Sequence, residues 1–326
     1  MRFVNDTELA AGLLRSERPN DVMLGAVIVR ERFVIVDGKR LERAPLEGIR
    51  TGTVELGEYG ILEADEVAPR VGTDVIVLGS ALCPKPTIAT RVEVSVGPYD
   101  VKLDVFGDRV WEGPGDALIP SAPVPFDHMP IIYARAFGGP APGEYGTLPY
   151  YKNPTGKGFY LRSGDARGKP LPNIEWADKH LDVWDGKPDP AGLAPYPATW
   201  GLRTEKTVIA DIERESIEVE PEGGLYDRAH PALSGKLVEP GPLAIKGMTP
   251  SGYLQVELPP CSATLFVELG EQAFERALSL EEILVDLRDL ARPTVELSYR
   301  KMFRYPFVRE QRRQARLVPR APSQGA

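Results

Sequence analysis

Short runs of apolar and β-branched residues, separated by turn residues, dominate the first third of the chain. Two runs, VMLGAVIVR (22–30) and RFVIV (32–36), read as short strands that end at the turn signal Asp37-Gly38. A longer apolar run from Thr73 to Leu82 has the length and composition of a strand that is covered on both faces. These patterns predict β structure from the start of the chain.

Strict alternation of apolar and polar residues follows in RVEVSV (91–96) and VKLDVFGDRVW (101–111), which are joined by Gly97-Pro98. Successive side chains of a strand point to opposite faces, so both segments present one apolar face. The pattern predicts an antiparallel hairpin over a core. With the preceding runs, it defines an N-terminal β region over residues 1–112.

Strand patterns return in a C-terminal β region, which we place at residues 204–308. The segments YLQVELP (253–259) and SATLFVEL (262–269) resemble paired strands. The segment LEEILVDLRDLARPTVELSYR (280–300) can begin with an amphipathic helix or form a hairpin, and the hairpin is favoured. For the arginine-rich tail at 309–326, disorder is favoured over a docking site for anions.

The middle of the chain, residues 113–203, is a loop-rich segment in which prolines and glycines alternate with aromatic residues. A disordered linker would be poor in aromatic residues. We therefore expect an ordered coil that buried rings hold in place. The fold class predicted is all-β, mainly antiparallel and sandwich-like, with this long ordered Pro/Gly/aromatic-rich coil and few short helices.

Charge and composition narrow the range of functions. The formal net charge of −8 argues against nucleic acid as the main partner. No apolar run is long enough to cross a bilayer, and the N-terminus lacks the apolar core of a signal peptide, so a cytoplasmic protein without a membrane partner is expected. The two cysteines, Cys83 and Cys261, lie far apart and read as buried thiols.

One stretch, PFDHMPIIYARAFGGP (125–140), contains several residues whose side chains could act in catalysis or binding. They lie between prolines and a double glycine. We expect Ile131 to Ala134 to form a strand, with Arg135 close to a core and in need of a carboxylate or carbonyl partners. Neither a nucleophile nor metal-ligand spacing accompanies His128, and YKNPTGKGF (151–159) fails the phosphate-loop pattern. The residues therefore favour a role in backbone shape over a catalytic one, and the sequence supports no cofactor and no metal site.

Three ordered motifs in this region resemble a bacterial family known as domain of unknown function 2169 (DUF2169). They are F…MP…Y.RAFGG, NP.G.GF and LPN.E, matched here at 126–139, 153–159 and 171–175, and the likeness extends roughly from Thr73 to Pro259. The positions of this region that we single out as a signature and possible interface are Phe126, Asp127, His128, Tyr133, Arg135, Phe137, Gly138, Gly139, Asn153, Gly156, Phe159, Asn173 and Glu175.

The resemblance implies a binding protein and not an enzyme. Members of this family are encoded with type VI secretion systems, where they are described as adaptors or chaperones that help an effector toxin join the spike protein. The partner implied is thus a secreted effector, the spike protein, or both. No catalytic residues are attached to the family, so the resemblance assigns individual roles to none of the signature positions.

The residues themselves leave two other functions open. The first is a hydrolase in which Asp127, His128 and Glu175 converge in one pocket. The second is a carbohydrate-binding protein that uses this region, with an exposed aromatic platform beside it. The platform would consist of Trp176, Trp184 and Trp200.

Overall fold

The computed structural model describes residues 1–18, 22–67, 70, 72–205, 209–211, 216–218, 226–306 and 313–320. Within them the fold is all-β, as predicted, and helices are few and short. The two α-helices are α1 (Ser163–Ala166) and α2 (Gly201–Thr204), and short 3-10 helices cover Gly57–Tyr59, Tyr133–Arg135 and Pro231–Leu233. None of the helices in these ranges has the length or apolar character needed to cross a membrane.

The strands are numbered along the chain. Those of the N-terminal region are β1 (Arg2–Asn5), β2 (Ala10–Arg18), β3 (Val22–Val36), β4 (Arg40–Ala44), β5 (Val54–Glu55), β6 (Ile61–Leu62), β7 (Asp74–Leu78), β8 (Ser80–Thr87), β9 (Ala89–Val96) and β10 (Tyr99–Phe106). The next strands, from the end of that region through the middle segment, are β11 (Trp111–Glu112), β12 (Ile119–Pro120), β13 (Phe126–Pro130), β14 (Phe137–Gly138), β15 (Pro140–Gly143), β16 (Gly146–Pro149), β17 (Lys157–Gly158) and β18 (Ile174–Trp176). Those of the C-terminal region and the tail are β19 (Ile209–Asp211), β20 (Ser216–Glu218), β21 (Pro242–Lys246), β22 (Tyr253–Glu257), β23 (Ala263–Leu269), β24 (Gln272–Arg276), β25 (Ser279–Asp286), β26 (Thr294–Pro306) and β27 (Arg313–Pro319).

The largest sheet has six strands in the order β2-β3-β26-β25-β7, with β4 also paired to β3. The two runs at 22–30 and 32–36 form one strand of 15 residues instead of two strands. Glu31 does not interrupt the strand because its buried carboxylate accepts hydrogen bonds from Arg43 at 2.6 Å and from the Ser262 amide at 3.0 Å. The hairpin expected within 280–300 is confirmed as β25 and β26.

The apolar run from Thr73 to Leu82 does not form one strand, contrary to the prediction. The chain leaves the six-stranded sheet after Leu78, and β8 begins at Ser80 and pairs with β13 in a separate two-stranded sheet. Hydrophobicity alone does not show this change of partner, because both halves of the run are apolar.

A five-stranded sheet has the order β18-β10-β9-β21-β22. It contains the predicted hairpin of β9 and β10, in which Val96 pairs with Tyr99 across the Gly97-Pro98 turn. The three alternating valines of β9 are at most 2% exposed, so their shared face lies in the core as expected.

A four-stranded sheet, β1-β27-β23-β24, contains part of the arginine-rich tail. Disorder is the wrong expectation for Arg313–Pro319, because this segment pairs in parallel with β1 and antiparallel with β23. The rest of the 309–326 tail, apart from residue 320, lies outside the described residues. The segments 253–259 and 262–269 do not pair with each other either, since β22 joins β21 and β23 joins β24 and β27.

Apolar side chains from these three sheets form one continuous core. Each of the three sheets contains strands of the N-terminal region beside strands from the C-terminal part of the chain, so the two ends of the chain fold together. A second, smaller apolar cluster consists of the fully buried Trp111 and of side chains from the middle segment. The middle segment therefore has its own packed interior, which positions the signature residues.

Candidate functional site

The first signature motif begins as a strand and then turns. Phe126–Pro130 pairs with β8, and His128 lies opposite Leu82. The prediction of a strand at Ile131 to Ala134 is wrong, because a 3-10 turn covers Tyr133–Arg135. A 3.0 Å hydrogen bond from the Arg135 amide to the Ile132 carbonyl closes this turn. β8 begins at Ser80, opposite Pro130, and only one further bond continues the pairing, from the Ile131 amide to the Gly79 carbonyl at 3.0 Å.

Asn153 joins the first two motifs. Its buried side-chain amide donates to the carbonyl of Tyr133 at 2.8 Å and to the carbonyl of Phe137 at 2.9 Å. Its own main-chain carbonyl accepts a 2.8 Å bond from the Gly139 amide. An asparagine side chain has two N–H donors, and both are used here to fix the backbone of the first motif.

The glycines of the motifs permit two backbone segments to approach closely. At Gly139, where φ is +90°, a Cβ atom would lie 2.1 Å from the Gly156 carbonyl oxygen. At Gly156, a Cβ atom would lie 2.4 Å from Nδ2 of Asn153. Gly138 belongs to the same pair of closely approaching segments, and its carbonyl accepts a 3.0 Å hydrogen bond from the Phe159 amide. A side chain is therefore excluded by sterics at these positions.

Asn173, in the third motif, ties the coil to the five-stranded sheet. Its main-chain amide donates to the Arg135 carbonyl at 2.8 Å, and its side-chain amide donates to the Phe106 carbonyl at 3.0 Å. The side chain also donates to Asp108 at 3.1 Å, and this bond is the main reason why the pKa of Asp108 is lowered. Arg135 is half-buried and donates a long 3.4 Å bond to the Asn173 side chain.

Glu175 is a buried structural carboxylate. It is 3% exposed, and its two oxygens accept hydrogen bonds from Arg109 and, at 3.0 Å, from the Leu181 amide. Burial raises the pKa of Glu175, and the charge of Arg109 opposes that rise. The Arg109 guanidinium also stacks over the Phe106 ring at 4.1 Å, which fixes its position.

Two groups of rings hold the coil. Phe137 packs edge-on against Tyr150 at 5.0 Å between centroids, and Tyr150 contacts Phe159 at 5.1 Å. A second group joins Tyr133 to Tyr196 at 5.4 Å and to a half-buried tryptophan, Trp200, at 5.5 Å. The prediction of an ordered coil held by buried rings is confirmed.

Asp127 and His128 do not meet Glu175 in a pocket. Their side chains are 71% and 67% exposed and contact each other at 3.2 Å. This hydrogen bond is the main reason why the pKa of Asp127 is lowered. Because both Glu175 oxygens already have internal donors, the arrangement does not assemble the three residues for general acid–base chemistry.

The tryptophans do not form a flat exposed platform. Trp176 is half-buried and lies 4.9 Å from the His230 ring. Trp184 and Trp200 are also half-buried and pack against apolar clusters. Their main contribution is therefore to packing, and a sugar-stacking surface built from the three is not present.

The largest group of buried charges in the described residues could not be predicted from the sequence. At its centre is Glu282, whose fully buried carboxylate contacts Arg50, Arg228 at 3.1 Å and Arg70 at 3.3 Å. Burial alone would raise the pKa of Glu282, but the three guanidinium groups outweigh it and hold that pKa well below its usual range.

A second buried acid, Glu296, contacts Arg30, Arg50 at 2.9 Å and Arg32 at 3.1 Å. Two further pairs complete the group, Arg70 with Asp74 at 3.0 Å and Arg228 with Asp65 at 3.2 Å. We call these side chains the ion-pair network: Arg30, Arg50, Arg70, Arg228, Asp65, Asp74, Glu282 and Glu296.

The network lies on the second face of the six-stranded sheet. On β26, Val295 and Leu297 face the core, and Glu296 and Arg300 lie on the other face. Alternation of this kind normally indicates a solvent-facing polar side. Here coil residues including Arg50 cover that face, so its charges are buried and paired. No local sequence signal shows this covering segment.

Clefts on the surface lie largely apart from the signature. A cleft of about 710 Å³ opens beside the ion-pair network and is lined by Arg30, Arg32 and Ile49 among others, with no signature position. A cleft of about 500 Å³ includes His128 together with Tyr59 and Met248. In the ranges given above, no group of three or more His, Cys, Asp or Glu side chains has the arrangement of a metal site.

A comparison of the sequence with known families agrees with the resemblance of the three motifs. A family model described as "Uncharacterized protein conserved in bacteria (DUF2169)" matches residues 21–300, so the chain belongs to this family and the resemblance is confirmed. No curated protein and no solved structure matches the chain.

Proposed function

We propose that this member of the family is a non-enzymatic adaptor, or chaperone, of a bacterial type VI secretion system. In this proposal it binds a secreted effector, the spike protein, or both, in the cytoplasm before secretion. The role comes from the family resemblance of the three motifs, and it takes support from two features of the structure.

The first feature is the way in which signature side chains are used. Asn153 and Asn173 donate to main-chain carbonyls, and Glu175 is neutralised by Arg109. A catalytic signature would present such groups to a cleft, where substrate could reach them. A signature that defines backbone shape instead suits a protein whose surface contour is recognised by another protein.

The second feature carries most weight: exposed apolar side chains concentrate on the outside of the same segment. Residues 113–203 make up less than a third of the chain, yet they hold seven of the thirteen exposed large hydrophobic residues in the described part. Exposed apolar and aromatic side chains are characteristic of protein interfaces. The seven are Ile119, Val124, Tyr145, Leu148, Tyr151, Leu161 and Val183.

Affinity purification from the bacterium that encodes the chain tests this proposal. The tagged full chain is purified under conditions that preserve complexes, and bound proteins are identified by mass spectrometry. We expect a spike protein or an effector at near-stoichiometric amount, absent from a control bait with the same tag. The identified partner, tagged in turn, should recover the chain. Recovery of neither class of partner in both directions would contradict the proposal.

A further inference from the structure

A hairpin with an exposed aromatic tip projects from the signature segment. It consists of β15 and β16, and Gly143 pairs with Gly146 across the two-residue turn Glu144-Tyr145. Its base is fixed, because Ala141 is fully buried in the second apolar cluster. We call residues 140–149 the tip hairpin.

The side chains at the end of the tip hairpin contribute little to the fold. Tyr145 is 95% exposed and Leu148 is 51% exposed. All four residues of β16 are exposed, as is Glu144 at the turn. A large ring held almost entirely in water is available for a partner, and tyrosine is among the residues that contribute most to binding at protein interfaces.

Prolines block backbone pairing along both edges of the tip hairpin. Hydrogen-bonded and non-hydrogen-bonded pairs alternate along an antiparallel hairpin. The 2.9 Å bond from the Tyr150 amide to the Gly139 carbonyl sets this alternation, so positions 140, 142, 147 and 149 point their main-chain groups outward. Three of these positions are prolines, which have no N–H to donate. Only Thr147 can donate from an edge.

This arrangement limits how a partner can bind. A strand added to either edge would find almost no donors, so recognition through an extended sheet is disfavoured. The turn residues and Leu148 remain as the contact elements. Glu144 adds a negative charge beside the Tyr145 ring, on a chain whose formal net charge is −8.

We propose that the tip hairpin inserts Tyr145 into an apolar pocket of a folded partner protein, at a site whose rim carries lysine or arginine side chains. Leu148 extends the apolar contact, and Glu144 pairs with the basic rim. This inference rests on the proposed adaptor function and specifies which surface performs it. The blocked edges disfavour an added strand, and the negative net charge disfavours a second copy of this chain. The occupant is therefore a partner protein with a pocket.

Site-specific cross-linking and matched variants test the proposal on the full chain. The photo-reactive amino acid p-benzoylphenylalanine replaces Tyr145, and in a control it replaces Tyr253, which is 45% exposed on β22. We expect a discrete adduct with the spike protein or effector from position 145 only. An adduct of equal yield from position 253 would overturn the assignment of the surface.

Affinity for the cross-linked partner, once purified, gives the quantitative test. Tyr145→Ala should raise the dissociation constant by about 30-fold or more, the change expected of a residue that dominates an interface. Tyr145→Phe should retain most of the affinity, Glu144→Lys should weaken binding more at low salt than at high salt, and Tyr253→Ala should leave it unchanged. The melting temperature should stay the same in all four variants.

The outcomes separate failure of this inference from failure of the adaptor function. If the wild-type chain binds its partner and Tyr145→Ala binds equally well, the tip hairpin is the wrong surface and the adaptor function stands. If the wild-type chain binds neither class of partner, both proposals fail. Concentration-dependent dimerisation that Tyr145→Ala abolishes, measured by sedimentation, would overturn the assignment of the occupant.

Discussion

The side-chain amide of Asn153 donates a 2.8 Å hydrogen bond to the main-chain carbonyl of Tyr133, twenty residues earlier in the chain. A second bond from the same amide reaches Phe137 at 2.9 Å. Through one buried side chain, the first two signature motifs become a single rigid unit.

Asn153→Ala should destabilise the protein by about 2–4 kcal/mol, because it leaves the buried carbonyls of Tyr133 and Phe137 without donors. Denaturant unfolding measures the free energy of unfolding. Thr147→Ala, at an exposed position of the tip hairpin, is the control and should change it by less than about 0.5 kcal/mol. Equal stabilities for the two variants would show that Asn153 does not hold the unit together.

Gly139→Ala should destabilise the protein by at least about 3 kcal/mol, because the new Cβ would meet the Gly156 carbonyl and the backbone has a positive φ. Gly164→Ala is the matched control. Nothing lies within 4 Å of a Cβ at Gly164, which is in α1, so this change should be neutral or slightly stabilising. Thermal melting of both variants distinguishes steric exclusion from a general intolerance of alanine.

Arg109→Ala should destabilise the protein by about 3–5 kcal/mol, because it leaves Glu175 buried without a counter-charge. Arg135→Ala should cost only about 0.5–1.5 kcal/mol, since it removes one long bond to Asn173 at a half-buried position. The role that the sequence suggested for Arg135 thus belongs to Arg109. A larger loss for Arg135→Ala in urea unfolding would reverse this assignment.

Glu282→Gln tests the ion-pair network by removing one charge at nearly constant volume. Three arginines then share a buried site without their common partner, so we expect a loss of about 3–5 kcal/mol in the free energy of unfolding. The control is Glu93→Gln, whose partner Lys246 is exposed, and it should leave the melting temperature unchanged.

The same variant should change the response to acid. Because the pKa of Glu282 in the folded protein lies well below its ordinary value, its contribution is fully present above that ordinary value of about 4.3. It is lost as the pH falls below this value. The wild type should therefore lose more stability between pH 5 and 3 than Glu282→Gln does, and parallel pH profiles would contradict the assignment.

Local patterns in the sequence were enough to predict the elements that pair with their neighbours in the chain. The β9–β10 hairpin and the β25–β26 hairpin follow from alternation and turn residues, and the ordered coil follows from its rings. In the two hairpins the interacting residues are close in sequence, so periodicity contains the information. The order of the coil could be predicted from composition, because disordered segments are poor in aromatic residues.

Features that depend on distant partners could not be predicted in this way. The strand Arg313–Pro319 looks like a solvated tail because its partners, β1 and β23, lie far away in sequence. Glu296 looks solvent-facing because the coil that carries Arg50 is separated from it by most of the chain. The register between such segments decides which charged side chains contact each other. It cannot be inferred from the local patterns of a single sequence.

Hydrogen–deuterium exchange of the full chain, alone and with its partner, tests the central claim that the signature segment is a fixed scaffold with a binding surface outside. The amides of Gly139, Lys157 and Asn173 donate to main-chain carbonyls of the same segment. They should exchange as slowly as those of β9 in both states, and the partner should slow exchange in the tip hairpin alone. Fast exchange of these three amides in the free chain, with protection appearing only on binding, would contradict the claim.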